Sequence, residues 1–122
     1  MRPAVVMCAL FFLCGCDRAP TTAAPGGVVD LTVRDYRYDH QNVETRRGAI
    51  TFSVTNKGRE ETNFRVRREN RKRDLASIAT LQPGEFGTTT VNLRPGTYTM
   101  YSSVGRHETL GEYGTVTVTK RR

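Results

Sequence analysis

Cysteine is nearly absent from this chain of 122 residues: Cys8, Cys14 and Cys16 are its only three, all close to the start. Beyond Cys16 there is no thiol to form a disulfide, attack a substrate or bind a metal as thiolate. Tryptophan is missing and aromatic residues make up 8% of the chain, so the core is expected to be modest and aliphatic. The longest apolar run, Ala4 to Leu13, is too short to cross a bilayer, which takes about 20 residues. No stretch repeats apolar residues at helical spacing. No phosphate-cradling glycine loop and no Ser-His-Asp arrangement in a supporting motif is present, so nothing points to an enzyme. Asp35, Asp39 and Glu44 fall in early strands and turns, where carboxylates usually face solvent. One domain is all this length accommodates once an export segment and a linker are set aside.

Residues 1–15 have the make-up of an export signal: Arg2 supplies the short positive start, Ala4 to Leu13 the apolar run, and Leu13-Cys14-Gly15-Cys16 closes it. The closing tetrad resembles the lipobox of bacterial lipoproteins. That resemblance implies cleavage before Cys16 and a lipid on Cys16, with the domain held outside the cytoplasm, on the periplasmic or extracellular side of a cell membrane. The competing possibility is a plain secretory signal. Residues 16–27 (CDRAPTTAAPGG) contain no large apolar side chain and are expected to form a flexible tether.

From Val28 the pattern has period two. Val29, Leu31 and Val33 alternate with Asp30, Thr32 and Arg34, as do Ile50, Phe52 and Val54 with Thr51, Ser53 and Thr55, and Val116 and Val118 with their threonine neighbours. Each such run predicts a half-buried strand. Phe64 with Val66, Phe86 to Leu93, and Tyr98 with Met100 add more, and turns are expected at Asn56-Lys57-Gly58, Pro83-Gly84, Pro95-Gly96 and Gly105. Seven or eight short strands over residues 28–119 make an all-β domain, a Greek-key two-sheet β-sandwich followed by a basic tail at 120–122. In Leu93 to Tyr98 (LRPGTY) the tyrosine is placed to form a tyrosine corner.

Five segments in order, Ile50 to Asn56 (ITFSVTN), Thr62-Asn63-Phe64, Leu81 to Glu85 (LQPGE), Leu93 to Tyr101 (LRPGTYTMY) and Gly105 to Gly114 (GRHETLGEYG), together resemble the cupredoxins, the plastocyanin- and azurin-type copper proteins. The resemblance implies a copper ion held by two His and a Cys thiolate, with a weak axial Met. Laid on that pattern, Thr62 stands where the first His is expected, Ser102 where the Cys is, and Glu112 where the axial Met is; His107 keeps the second His. A hydroxyl cannot replace the thiolate, so no type 1 copper, no other cofactor and no one-electron role are expected. The reading is of a lipid-anchored binding or accessory module. The alternative is a metal-handling protein of a copper or iron uptake system, with His107 and Glu112 as ligands completed by water or Tyr113. His40 is expected in a solvent-facing turn.

The formal net charge is +7. It is densest at Arg65, Arg67, Arg68, Arg71, Lys72 and Arg73, with Arg65 and Arg67 on the outer face of a strand and the rest in the following loop. Such a patch could bind anionic lipid headgroups or an acidic protein, or be only a solvated surface, since Glu69 and Asp74 dilute it. No nucleic-acid recognition motif accompanies it.

Overall fold

The structure, a computed structural model, describes residues 20–120. Residues 1–15, Cys16 with its lipidation, and the last two residues of the basic tail lie outside the described residues. The described chain forms β1 (Thr21–Ala24), β2 (Val28–Arg34), β3 (Arg37–Tyr38), β4 (Asn42–Arg46), β5 (Gly48–Asn56), β6 (Thr62–Arg68), β7 (Asp74–Leu81), β8 (Phe86–Leu93), β9 (Gly96–Tyr101), one helical turn α1 (His107–Leu110), and β10 (Tyr113–Thr119).

The strands build two mixed sheets, one ordered β1-β4-β10-β9-β6-β7 and the other β3-β2-β5-β8. This is the two-sheet sandwich expected from the alternating pattern. Val29, Leu31 and Val33 point inward on β2, as do Ile50, Phe52 and Val54 on β5 and Val116 and Val118 on β10. The rings of Phe52 and Phe64 meet across the interior with centroids 5.3 Å apart, and neither side chain is exposed to any measurable extent. Burying an aromatic side chain of this kind contributes roughly 1.5–3 kcal/mol. The tyrosine corner forms, the Tyr98 hydroxyl donating to the Arg94 carbonyl at 2.7 Å.

Two departures from the sequence reading concern the edge of the first sheet. Thr21 to Ala24, expected to belong to the tether at 16–27, instead forms β1, parallel to β4 in the register Thr21 to Asn42 through Ala24 to Thr45. Threonine suits a strand, the edge of β4 offers unpaired backbone groups, and the Thr45 hydroxyl donates to the Ala24 carbonyl at 2.8 Å. His40, expected to face solvent, is only half exposed, and its Nδ1 lies 3.1 Å from the Thr22 hydroxyl.

Parallel pairing of β1, β4 and β10 fixes the two ends of the sandwich. Thr21, Asn42 and Tyr113 begin their strands at one end, where β5 and β9 finish; Ala24, Arg46 and Thr119 lie at the other, with Arg68 and Leu93. The candidate site occupies the first end and most of the Arg-rich segment the second.

Candidate functional site

Thr62, Ser102, His107 and Glu112 come from separate segments and converge. Thr62 opens β6, Ser102 follows β9, His107 starts α1, and Glu112 immediately precedes β10. The helical turn is closed by Gly111, whose φ of 120° is a conformation that side chains disfavour. That reversal, with the Glu112 N–H donating to the His107 carbonyl at 2.9 Å, carries Glu112 back under the turn. All four residues are buried, Ser102 fully and Glu112 to within 2%.

Their side chains contact one another. The Thr62 hydroxyl lies 2.5 Å from Oε2 of Glu112 and 3.0 Å from the Ser102 hydroxyl. One hydroxyl proton serves one acceptor, and the short carboxylate contact takes it. Ser102 Oγ is also reached by the Val104 N–H at 3.3 Å and lies 3.3 Å from Oδ1 of Asn63. Asn63 in turn clamps the loop, accepting from the Ser103 N–H and donating to the Ser103 hydroxyl, each at 2.8 Å. Glu112 therefore bonds to Thr62.

His107 stands between two carboxylates that reach its opposite nitrogens. Its Nε2 is 3.3 Å from Oε2 of Glu60 and its Nδ1 is 3.6 Å from Oε2 of Glu112. At that distance Nδ1 makes no hydrogen bond; it is buried and unpartnered. The Tyr36 ring packs edge-on to the imidazole with centroids 4.9 Å apart. The Tyr36 hydroxyl donates to Glu60 at 2.9 Å, and that bond raises the tyrosine pKa. A cavity of about 130 Å³ lies between Tyr36, Asn56, Glu60, His107 and Glu112. Tyr36 and Glu60 were not visible as site residues in the sequence, because the turn at Asn56 delivers Glu60. Asn56 donates to the carbonyls of Glu60 and Leu81 and accepts from the Gly58 N–H. Tyr113, suggested as a supplementary ligand, is 47% exposed and lines a different cleft with Arg37 and Leu110.

Solved structures similar to this one include auracyanins, an azurin and rusticyanin. Dithionite-reduced auracyanin from Roseiflexus castenholzii superposes with a TM-score of 0.71 at 18% identity, covering 79% of this chain and 99% of its own. Auracyanin A from Chloroflexus aurantiacus, described as a blue copper protein, gives 0.67 at 12% identity over 80% of this chain and 100% of its own. Rusticyanin from Thiobacillus ferrooxidans gives 0.66 at 12% identity over 81% and 82%. The fold is that of the cupredoxins. No protein-family model and no curated protein sequence matches the chain.

The four positions of this cupredoxin-like domain offer two hydroxyls, one carboxylate and one imidazole. That donor set does not fit a type 1 copper site, which takes a thiolate and two imidazoles; every cysteine of the chain precedes the domain. Glu60 and Glu112 approach opposite edges of the same ring, so the two carboxylates and the imidazole do not converge on one point. No group of three or more His, Cys, Asp or Glu side chains suited to a metal occurs among the described residues.

The basic segment is divided by the fold. Arg65 pairs with Asp74 at 2.8 Å, and Arg67 pairs with Glu108 at 2.6 Å while its guanidinium sits 4.1 Å over the Tyr101 ring. Burial opposes the charge on Arg67, but bonds to Glu108 and Tyr101 outweigh it and raise its pKa. The expected patch thus loses Arg65 and Arg67 to internal ion pairs. Arg68, Arg71, Lys72 and Arg73 remain exposed at the far end of the sandwich.

Proposed function

We propose that the chain is a lipid-anchored binding or accessory module outside the cytoplasm, built on a cupredoxin-like domain without type 1 copper, and neither an enzyme nor an electron carrier. The observation that carries this reading is the contact of Thr62 with Glu112 and Ser102. Three of the four positions that hold copper in the family, Thr62, Ser102 and Glu112, here bond to one another, and their hydroxyls and carboxylate are partnered without an ion. Anchoring is supported by the Leu13-Cys14-Gly15-Cys16 tetrad after an export-type segment.

A second reading has its own observation. His107 Nδ1 is buried without a partner, 3.6 Å from a carboxylate oxygen. A buried polar atom left unpaired costs about 1–3 kcal/mol, and a weakly held Cu(II) or Zn(II) bridging Nδ1 and Glu112 would relieve it. Titrating the full chain with Cu(II), Cu(I) and Zn(II), with Cys8, Cys14 and Cys16 changed to Ser so that no thiol competes, separates the two. The first reading predicts no one-to-one binding by calorimetry and no shift in melting temperature. A stoichiometric site that disappears in His107→Ala establishes the second.

A further inference from the structure

Where β7 and β8, the edge strands of the two sheets, pack together, a cleft of about 440 Å³ opens at the end opposite Glu112. Arg68, Arg71 and Arg73 enter it from the β6–β7 hairpin and Arg94 from the β8–β9 turn, while Leu75 and the Tyr98 ring form part of its wall. None of these four guanidinium groups has a carboxylate partner among the described residues; Glu69, on the same hairpin, does not line the cleft. Arg68 lies 5.8 Å over the Tyr98 ring, and Leu75 is 42% exposed.

Four like charges around low-dielectric walls concentrate a positive potential. The planar guanidinium fork suits a carboxylate, and an exposed leucine beside the arginines suits an apolar side chain next to it. Carboxylates interspersed with apolar side chains are what an extended acidic stretch of protein presents.

The direction of β1 argues against the anchoring membrane as the occupant. Thr21 pairs with Asn42 at the Glu112 end, and Cys16 precedes it by five positions, a reach of at most about 18 Å. The β7 edge lies five strand spacings from β1, roughly 24 Å, and the cleft sits at the other end of those strands. A lipid on Cys16 is thus held near the corner diagonally opposite the arginines.

We propose that the cleft formed by Arg68, Arg71, Arg73 and Arg94 docks an acidic segment of a partner protein on the side of the domain turned away from the anchoring membrane. The orientation rests on the lipid anchor proposed above; the binding chemistry of the cleft does not.

The test uses the full chain carrying Cys16→Ser and a fluorescently labelled peptide alternating Glu with Leu. Anisotropy is expected to show binding that weakens with salt. Arg71→Glu and Arg94→Glu should each weaken it at least about fivefold. Lys57→Glu, an equal charge change at the opposite end, should leave it nearly unchanged. Equal losses in all three variants would reduce the effect to net charge and overturn the proposal. So would an absence of peptide binding by a folded protein, or preferential capture of phosphatidylglycerol–phosphatidylethanolamine vesicles through the same arginines. Loss of the anchor, seen as recovery of the unmutated chain in the soluble fraction, would remove the orientation argument and leave the peptide result standing.

Discussion

Tyr38 carries its polar atom into the core. Its hydroxyl is buried without a partner, and burial, followed by the nearby Glu112 and Glu108, holds its pKa well above the ordinary tyrosine range. The folded state keeps that proton where the unfolded chain, with a pKa near 10, releases it. The associated stability is fully present below about pH 10 and is lost as pH climbs from there towards the folded pKa. Tyr38→Phe is therefore expected to leave urea stability at pH 7 unchanged or to raise it by up to about 1 kcal/mol, and to flatten the alkaline loss. A drop of more than about 2 kcal/mol at pH 7 would mean that the hydroxyl has a partner after all. At the candidate site the sequence singles out Thr62, His107 and Glu112, which stand in motif segments, and Ser102, which directly follows one. Glu60 and Tyr36 were not legible: they come from turns without an apolar pattern, and bonds from Asn56 and Tyr36 hold Glu60 beside the imidazole.

Among the elements, alternation made β2, β5 and β10 readable, because one face of each is apolar throughout. β4 (NVETR) hides its inward face by using Thr45 beside Val43, both buried. β7 exposes Leu75 and buries Ile78 and Leu81, whose spacing of three a bulged register allows. β1 is four small residues between prolines and gains its order from β4, information that no local window contains. Gly114 in β10 is closely approached: a Cβ atom there would stand 2.4 Å from both the Gln41 carbonyl oxygen and Cε of Met100. The methionine end can move, but the backbone oxygen cannot without breaking its bond from the Thr115 N–H. Gly114→Ala is expected to destabilise the domain by about 1–3 kcal/mol, read from the urea midpoint. A midpoint within experimental error of the parent would show that β4 and β10 are less closely joined than described.

At the scale of the molecule, the sandwich has a site end that also carries β1's start and an arginine end that faces the other way. If the lipobox-like tetrad acts as proposed, Cys16→Ser should move the protein from the membrane fraction to the soluble one and abolish labelling by a fatty-acid probe. Retention in the membrane by an unlabelled protein would contradict the anchor. The fold class was legible because strand period and turn residues agree along the whole domain, whereas the division of the charge patch was not. A sequence run shows where arginines are dense, not which of them, like Arg65 and Arg67, find a carboxylate across the sheet. On the reading proposed here, Thr62, Ser102, His107 and Glu112 occupy the copper-ligand positions of a cupredoxin-like domain whose donors have been exchanged. The decisive measurement is visible absorption on adding Cu(II) to a Cys8→Ser, Cys14→Ser, Cys16→Ser parent, and to the same chain with Thr62→His, Ser102→Cys and Glu112→Met. A colourless parent and an intense thiolate-to-copper band in the rebuilt chain are expected. A parent that is itself coloured, or a rebuilt chain that keeps its strand spectrum yet binds no copper, would contradict it.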